Sequence, residues 1–322
     1  MVSIFPSLVL FFIGFYILVK GAGILVNGST SIAKIFNISA WFIGVVIVGF
    51  GTSLPEFSVS IASALNGNNI GLGTIIGTNI FNVLVILGLS AIFIPIHFKK
   101  YWVVSDLVIH IGAVLATTVV ITLPLFAFLG DRILFGITRV EGVFLLVLLF
   151  VWIWALFRRK VSTEEKLDYK AFTVLTSITM VIAGTAGVFI GGQWVVGGAK
   201  TIAEIFNVSP ELIGLTVVAM GTSLPELTVS VVALFKRTSA IAVGNVIGSS
   251  VINFLGIVGI TAVVQPISTL ATIHFDIFAM LGVACLLFVF TFFDKRYVLS
   301  RGEGFLFIVV YVSYLVFIVM RG

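Results

Sequence analysis

A hexapeptide occurs twice in this 322-residue chain, as Gly51-Thr52-Ser53-Leu54-Pro55-Glu56 and as Gly221-Thr222-Ser223-Leu224-Pro225-Glu226, each time inside a long apolar run. That placement limits what the chain can fold into. Proline has no N–H, so it orphans the carbonyl four residues earlier (Gly51 and Gly221) and kinks or breaks a helix. A glutamate near the middle of a membrane span is costly and by default marks a functional site. Broken helices at membrane depth are tolerated where they are buried or line a polar cavity, and their freed backbone oxygens can bind cations.

Composition agrees with a membrane setting. Hydrophobic residues make up 60% of the chain and charged residues 10%, against roughly 25% charged in soluble domains. About 20 apolar residues make one span. Ten runs qualify: 4–26, 40–65, 70–95, 102–126, 140–157, 171–198, 209–235, 240–264, 270–293 and 304–320. The first and sixth are expected to continue as helix to about Phe36 and Phe206, within the uncertainty of such boundaries. The first run starts at Ile4 without a basic leader, so the expectation is a first span and not a removable signal. The formal charge of +5 does not suggest nucleic-acid binding, because the basic residues cluster in short loops. A single cysteine, Cys285, excludes a disulfide framework or a thiolate metal site.

Loop charge sets the orientation. The longest polar stretch, Arg158 to Lys170, holds five basic residues, and its side of the membrane holds 13 Lys/Arg against four on the other. The positive-inside rule makes this loop cytoplasmic and places both termini outside. The hexapeptide returns after 170 positions, as do Ile35-Phe36-Asn37-Ile38-Ser39 (Ile205-Phe206-Asn207-Val208-Ser209) and Gly44 (Gly214). Gly73-Thr74-Ile75-Ile76-Gly77-Thr78 returns as Gly244-Asn245-Val246-Ile247-Gly248-Ser249 after 171, so one residue was inserted in the later copy. Five spans per half is an odd number, so the halves lie in opposite orientations. The expected fold is an all-α polytopic membrane protein of ten helices, built as two inverted five-helix repeats with broken helices at the centre. Its parts are a first repeat over 1–157, a connector over 158–170 and a second repeat over 171–322.

The polar residues within these spans are all oxygen donors. Thr52 and Glu56 are four apart and so expected on one helix face, as are Thr78 and Asn82 in the next span, with Thr222, Glu226, Ser249 and Asn253 as counterparts and Ser53 and Ser223 beside them. Oxygen-only sites suit hard cations, and Ca²⁺ takes about 6–8 oxygens. Two glutamates balance one Ca²⁺; the same oxygens would also hold several Na⁺, or the glutamates would take protons. Gly73, Gly77, Gly244 and Gly248 form small-residue faces that are expected to let these helices approach closely.

Both copies resemble the α-repeats of the cation/Ca²⁺ exchanger superfamily, in its prokaryotic Na⁺/Ca²⁺ exchanger branch. The resemblance rests on GTSLPE followed by the glycine-rich stretches Gly73 to Asn82 and Gly244 to Asn253. It implies an antiporter exchanging about three Na⁺ for one Ca²⁺ by alternating access, with the first and sixth helices sliding to gate the core. It implies Ca²⁺ ligands at Thr52, Glu56, Thr222 and Glu226, the threonines through their carbonyls. It implies Na⁺ ligands among Gly49, Thr52, Ser53, Glu56, Thr78, Asn82, Ala219, Thr222, Ser223, Glu226, Ser249 and Asn253. Some relatives, including the K⁺-dependent ones, carry Asp at the position of Asn253; Asn there argues against K⁺ coupling. No cofactor, no enzymatic activity and no partner besides the lipid bilayer and the ions is expected, in a monomer of the plasma membrane.

The same residues admit other readings. Ca²⁺/H⁺ exchange through Glu56 and Glu226 is the alternative within the antiporter class. A passive channel would more naturally build its pore from identical subunits. An intramembrane protease would need a histidine matched to Ser53 or Ser223, and there is none. Asn82 and Asn253 taken singly read as interhelical hydrogen-bonding groups. Asp106 and Asp276 read as helix-start carboxylates, Lys20 as a snorkelling side chain, and His97, His110 and His274 as scattered. The topology has a direct check: a cysteine introduced at Val161 is expected to react with a membrane-impermeant maleimide from the cytoplasmic side only.

Overall fold

The computed structural model describes residues 4–66, 70–123, 136–158, 171–206, 219–269, 271–293 and 296–321. Helices dominate: α1 (Ile4–Ile35), α2 (Ala40–Thr52), α3 (Leu54–Leu65), α4 (Ile70–Phe93), α5 (Trp102–Thr122), α6 (Arg139–Phe157), α7 (Val174–Ile205), α8 (Leu224–Phe235), α9 (Ser239–Val264), α10 (Ala271–Phe290) and α11 (Arg301–Arg321). Among the described residues, eight helices are long and apolar enough to cross a membrane, and the bent pair α2–α3 makes a ninth. Residues 159–170, nearly all of the connector, and Asn207 to Val218, which include the start of the seventh run, lie outside the described residues. α1 and α7 end at Ile35 and Ile205, as the helical reading past the apolar runs anticipates.

The chain forms two compact units, Met1–Pro55 with Lys160–Asn245, and Glu56–Arg159 with Val246–Gly322. In the first, α1 and α7 run antiparallel along a seam of glycines spaced by seven. A Cβ on Gly14 would lie 2.7 Å from the Trp194 Cβ, one on Gly21 2.7 Å from the Val188 nitrogen, and one on Gly28 2.8 Å from the Met180 Cβ. The reverse contacts are as close: Gly184 on the Leu25 nitrogen (2.5 Å), Gly191 on the Leu18 nitrogen (2.5 Å) and Gly198 on the Ser7 carbonyl (2.8 Å). Without side chains between them the two backbones meet directly, which in lipid is the main source of helix association. At the end of the seam the Ser31 hydroxyl accepts from Phe172 N (2.8 Å) and Ser177 Oγ (2.7 Å). Lys236, just past α8, donates to the Gly23 carbonyl (2.9 Å) and to the Asn27 carboxamide oxygen. Lys20 extends along α1 with its ammonium 5.6 Å from the Tyr16 ring.

In the second unit, two glycine contacts repeat the same device. Gly304 of α11 packs on the Gly88 carbonyl of α4 (2.6 Å), and Gly142 of α6 on the Gly259 carbonyl of α9 (2.7 Å). Two short antiparallel pairs join the loops: β1 (Ile96–His97) with β4 (Val298–Leu299), and β2 (Gly136–Ile137) with β3 (Ile267–Ser268). Asp276 is held by Arg321 in two contacts (3.0 and 3.1 Å) and by the Tyr314 hydroxyl (3.3 Å). Asp106 is buried in the π-helical start of α5.

The glycine expectation holds only in part. Gly244 does pack tightly, its Cβ position 3.0 Å from the Trp41 carbonyl, and Gly44 meets the Ile241 Cα at 2.9 Å. Among the described residues a Cβ on Gly77 would meet nothing within 4 Å, and one on Gly73 only an Ile273 methyl at 4.0 Å. The close approach of α4 to α3 is instead at Gly71, 2.7 Å from the Ser60 Cα. The difference is one of phase: Gly71 lies two residues before Gly73, on another side of the helix.

Replacing Gly191 by valine forces a side chain into the Leu18 backbone. Thermal unfolding in detergent is expected to show a loss of at least ~1–3 kcal/mol. Gly112→Ala, with nothing within 4 Å of its Cβ among the described residues, is expected to be neutral or stabilising.

Candidate functional site

Each hexapeptide breaks its helix. α2 stops at Thr52, Ser53 turns to φ −81°, ψ 6°, and α3 starts at Leu54, bent by 47° from α2. In the second copy a short turn, Ala219–Gly221, ends before Thr222 and Ser223, and α8 starts at Leu224 with Pro225 in its first turn. Thr52 and Glu56 therefore flank a break, as do Thr222 and Glu226, and the continuous face expected from their spacing does not form. The physical cause is the proline, whose ring occupies the place of the N–H that Gly51 or Gly221 needs to carry the helix on. Each glutamate thereby falls in the first turn of a new helix, where the macrodipole favours a carboxylate. Glu56 and Glu226 are both 0% exposed. Thr52, Ser53 and Ser223 are buried, and Thr222 is half-buried. Gly49 is buried within α2; Ala219 opens the short turn, its side chain outside the described residues.

Ser-x-x-Glu at a helix start is the spacing of a capping box. Elsewhere in this chain the same spacing forms one. Thr138 N donates to Glu141 Oε2 (2.8 Å) and Glu141 N to Thr138 Oγ1 (3.3 Å); Ser300 and Glu303 do likewise (2.7 and 3.5 Å). The Ser53 and Ser223 hydroxyls do not: both are buried with no hydrogen-bond partner among the described residues. A hydroxyl withheld from its cap stays available to a ligand.

The structure brings parts of the two motifs together within each unit. In the unit holding Thr52 and Glu226, Thr52 Oγ1 donates to Asn245 Oδ1 (3.0 Å), while Asn245 Nδ2 donates to the Glu226 carbonyl (3.3 Å) and to Ser230 Oγ (3.0 Å). In the other unit, Asn82 Nδ2 donates to Ser249 Oγ (3.4 Å), which donates to the Val246 carbonyl (3.1 Å). Asn82 and Asn253 lie in matching π-helical turns, Asn82–Leu87 and Ile252–Ile257. Such turns recur at functional sites. Thr78 Oγ1, Asn82 Oδ1 and both polar atoms of Asn253 are buried with no hydrogen-bond partner among the described residues. An unmet buried polar group costs about 1–3 kcal/mol. Within their unit, the unmet Thr78 and Asn82 oxygens and the Asn253 amide are of the kind that suits a hard cation.

Asn245, Ser230, Asn79 and Ser250 were not among the expected site residues, yet all are buried, and Asn79 Oδ1 and Ser250 Oγ have no partner among the described residues. The signal for Asn245 was in the motif. It is an amide where the earlier copy has Thr74.

Comparison with known proteins points the same way. The family model described as sodium/calcium exchanger protein matches residues 6–158 and 176–320. An uncharacterized membrane protein of Methanocaldococcus jannaschii, MJ0091, is 34% identical over 304 residues, 94% of each chain. The sodium/calcium exchanger MaX1 of Methanosarcina acetivorans is 26% identical over 348 residues, 94% of this chain and 96% of its own. A solved structure of the sodium-calcium exchanger NCX_Mj, soaked with Na⁺ and Sr²⁺, matches with a TM-score of 0.82 at 29% identity, over 98% of this chain and 99% of that one.

The unmet amide of Asn253 carries a stability prediction. Asn253→Val is expected to leave ion-free thermal stability in detergent unchanged or raised by ~1 kcal/mol, since an unanswered polar group is removed. Any stabilisation that added Na⁺ gives the wild type is expected to be lost in this variant.

Proposed function

Because the chain belongs to the sodium/calcium exchanger family, we propose that it is a secondary antiporter that moves about three Na⁺ against one Ca²⁺ by alternating access across the plasma membrane. The observation that carries the reading is the set of buried oxygens around the two broken helices, with two fully buried glutamates and serine hydroxyls held back from their caps. Ca²⁺ is taken by Thr52, Glu56, Thr222 and Glu226, whose two carboxylates balance its charge. Na⁺ uses these with Gly49, Ser53, Thr78, Asn82, Ala219, Ser223, Ser249 and Asn253. Competition for shared carboxylates couples the ions: Ca²⁺ leaves when Na⁺ claims the same oxygens.

The proposed frame is ten spans in two inverted repeats, 1–157 and 171–322, with a cytoplasmic connector over 158–170 and both termini outside. Two observations support it. The seam glycines Gly14, Gly21 and Gly28 recur as Gly184, Gly191 and Gly198 after 170 positions, the interval of the hexapeptide. The strand pairs β1–β4 and β2–β3 join loops separated by six and four proposed spans, even numbers, as loops on one membrane face must be. α1 and α7 slide together in this reading, because their glycine seam leaves no side-chain layer on which one can shift past the other. The protein works as a monomer and needs no cofactor.

The deciding measurement is radiolabelled Ca²⁺ uptake into proteoliposomes. Uptake is expected with Na⁺ loaded inside and none outside, and not with an imposed pH gradient; uptake driven by the pH gradient without Na⁺ would replace Na⁺ by protons as the coupled ion. Glu56→Gln and Glu226→Gln are each expected to abolish it, and near-normal uptake in either removes that residue from the site.

A further inference from the structure

Asn245 stands outside the proposed ligand set, yet it ties both hexapeptides together. Its carboxamide is fully buried in α9, receives the Thr52 hydroxyl at 3.0 Å, and donates to the Glu226 carbonyl at 3.3 Å and to Ser230 Oγ at 3.0 Å. The direction of each bond follows from the chemistry. The Glu226 carbonyl is an acceptor only, so the amide nitrogen must face it, and a flipped amide would set two oxygens against each other. Ser230 Oγ accepts from the amide because its own proton goes to the Ala242 carbonyl (3.3 Å). The amide oxygen is thus left facing Thr52, and the Thr52 proton points at it.

That orientation matters for a cation. Thr52 stands in the proposed Ca²⁺ set through its carbonyl, and a hydroxyl tied to Asn245 holds the residue that bears that carbonyl. Gly49, whose carbonyl lies 3.3 Å from the same hydroxyl and accepts Ser53 N at 3.2 Å, competes for the Thr52 proton. With the proton given to Asn245, the Gly49 carbonyl keeps a lone pair for an ion. The amide's other end meanwhile fixes the main chain of Glu226, the residue that carries the carboxylate. One side chain therefore sets the proton of one hexapeptide and the backbone of the other.

The residues at the corresponding positions of the earlier repeat are bonded differently. Thr74, at the position of Asn245, turns its hydroxyl to the Ile70 carbonyl of its own helix (2.8 Å). Ser60, at the position of Ser230, has a buried hydroxyl with no partner among the described residues.

We propose that Asn245 is a positioning residue for cation binding, holding the Thr52 hydroxyl and the Glu226 turn in the ion-ready arrangement. This rests on the exchanger reading above. Groups that orient metal ligands from behind typically change affinity by about 10–100-fold when removed.

The test is Ca²⁺-induced thermal stabilisation of the purified full chain in detergent, with CaCl₂ as the probe, beside Na⁺-driven Ca²⁺ uptake. Asn245→Ala is expected to raise the half-saturating Ca²⁺ concentration about tenfold, with the KM for uptake rising in step and the maximal rate changing less. Asn245→Thr, which installs the residue of the other repeat, is the second variant should alanine fail to fold, and is expected to act in the same direction. Thr52→Val is expected to give a similar shift, and the double variant no more than either single one, since both cut the same bond. Thr74→Ala is expected to leave the midpoint unchanged. An Asn245 variant that melts earlier without ions but keeps the wild-type Ca²⁺ midpoint makes the residue a structural tie and overturns the proposal, as do fully additive effects of the two substitutions. A wild type stabilised by neither Ca²⁺ nor Na⁺ would instead remove the exchanger reading, and with it this role.

Discussion

Hydrocarbon offers no hydrogen bonds, so every polar group carried into it must be answered by the protein or by what the protein binds. The architecture follows from that constraint. Intact helices satisfy their own backbones and pack through glycine, as at Gly14, Gly21 and Gly28 against α7 and at Gly88 against Gly304. Where a helix must break, the cost concentrates, and this chain breaks its helices at a proline, beside a buried glutamate and a buried serine. The coincidence is economical in physical terms. The same broken turn that strands a carbonyl also supplies a helix N-terminus to stabilise the carboxylate.

The contrast between capped and uncapped helix starts is what sets the two hexapeptides apart from the other helix starts of this kind. Thr138–Glu141 and Ser300–Glu303 close their boxes and finish two ordinary helices. Ser53 and Ser223 keep the same spacing to a glutamate, but their hydroxyls have no partner among the described residues. Sequence spacing is equal in the four cases. What differs is whether the hydroxyl is used to end a helix or held open beside a buried acid.

Charge completes the argument. In the proposed ligand set two groups, Glu56 and Glu226, carry a formal charge, and the remainder are neutral hydroxyl, amide and main-chain groups. A divalent cation is balanced by that pair, while several monovalent ions must lean on the neutral oxygens. Asn82 and Asn253, both amides in matching π-helical turns, keep the count at two. In the proposed exchange, sharing the two carboxylates makes simultaneous full occupation by both ions unfavourable.

Much of this was legible before any coordinates. Uninterrupted apolar runs dictate helices, because backbone groups in lipid have no other way to be satisfied. The helices running through to Ile35 and Ile205, the interruption at each proline, and the oxygen-only character of the polar residues follow from residue type and spacing. The duplication at 170 positions is likewise a property of the letters. Tertiary structure decided the rest. Whether Thr52 and Glu56 share a face depended on how sharply the chain turned at Ser53. Whether Gly73 or Gly71 made the close contact depended on the rotation of α4. Which partner the Thr52 proton found depended on Asn245, distant in sequence and brought in by packing. Local chemistry sets what a segment can form and which groups cannot be left bare; only the meeting of distant segments determines which group answers which.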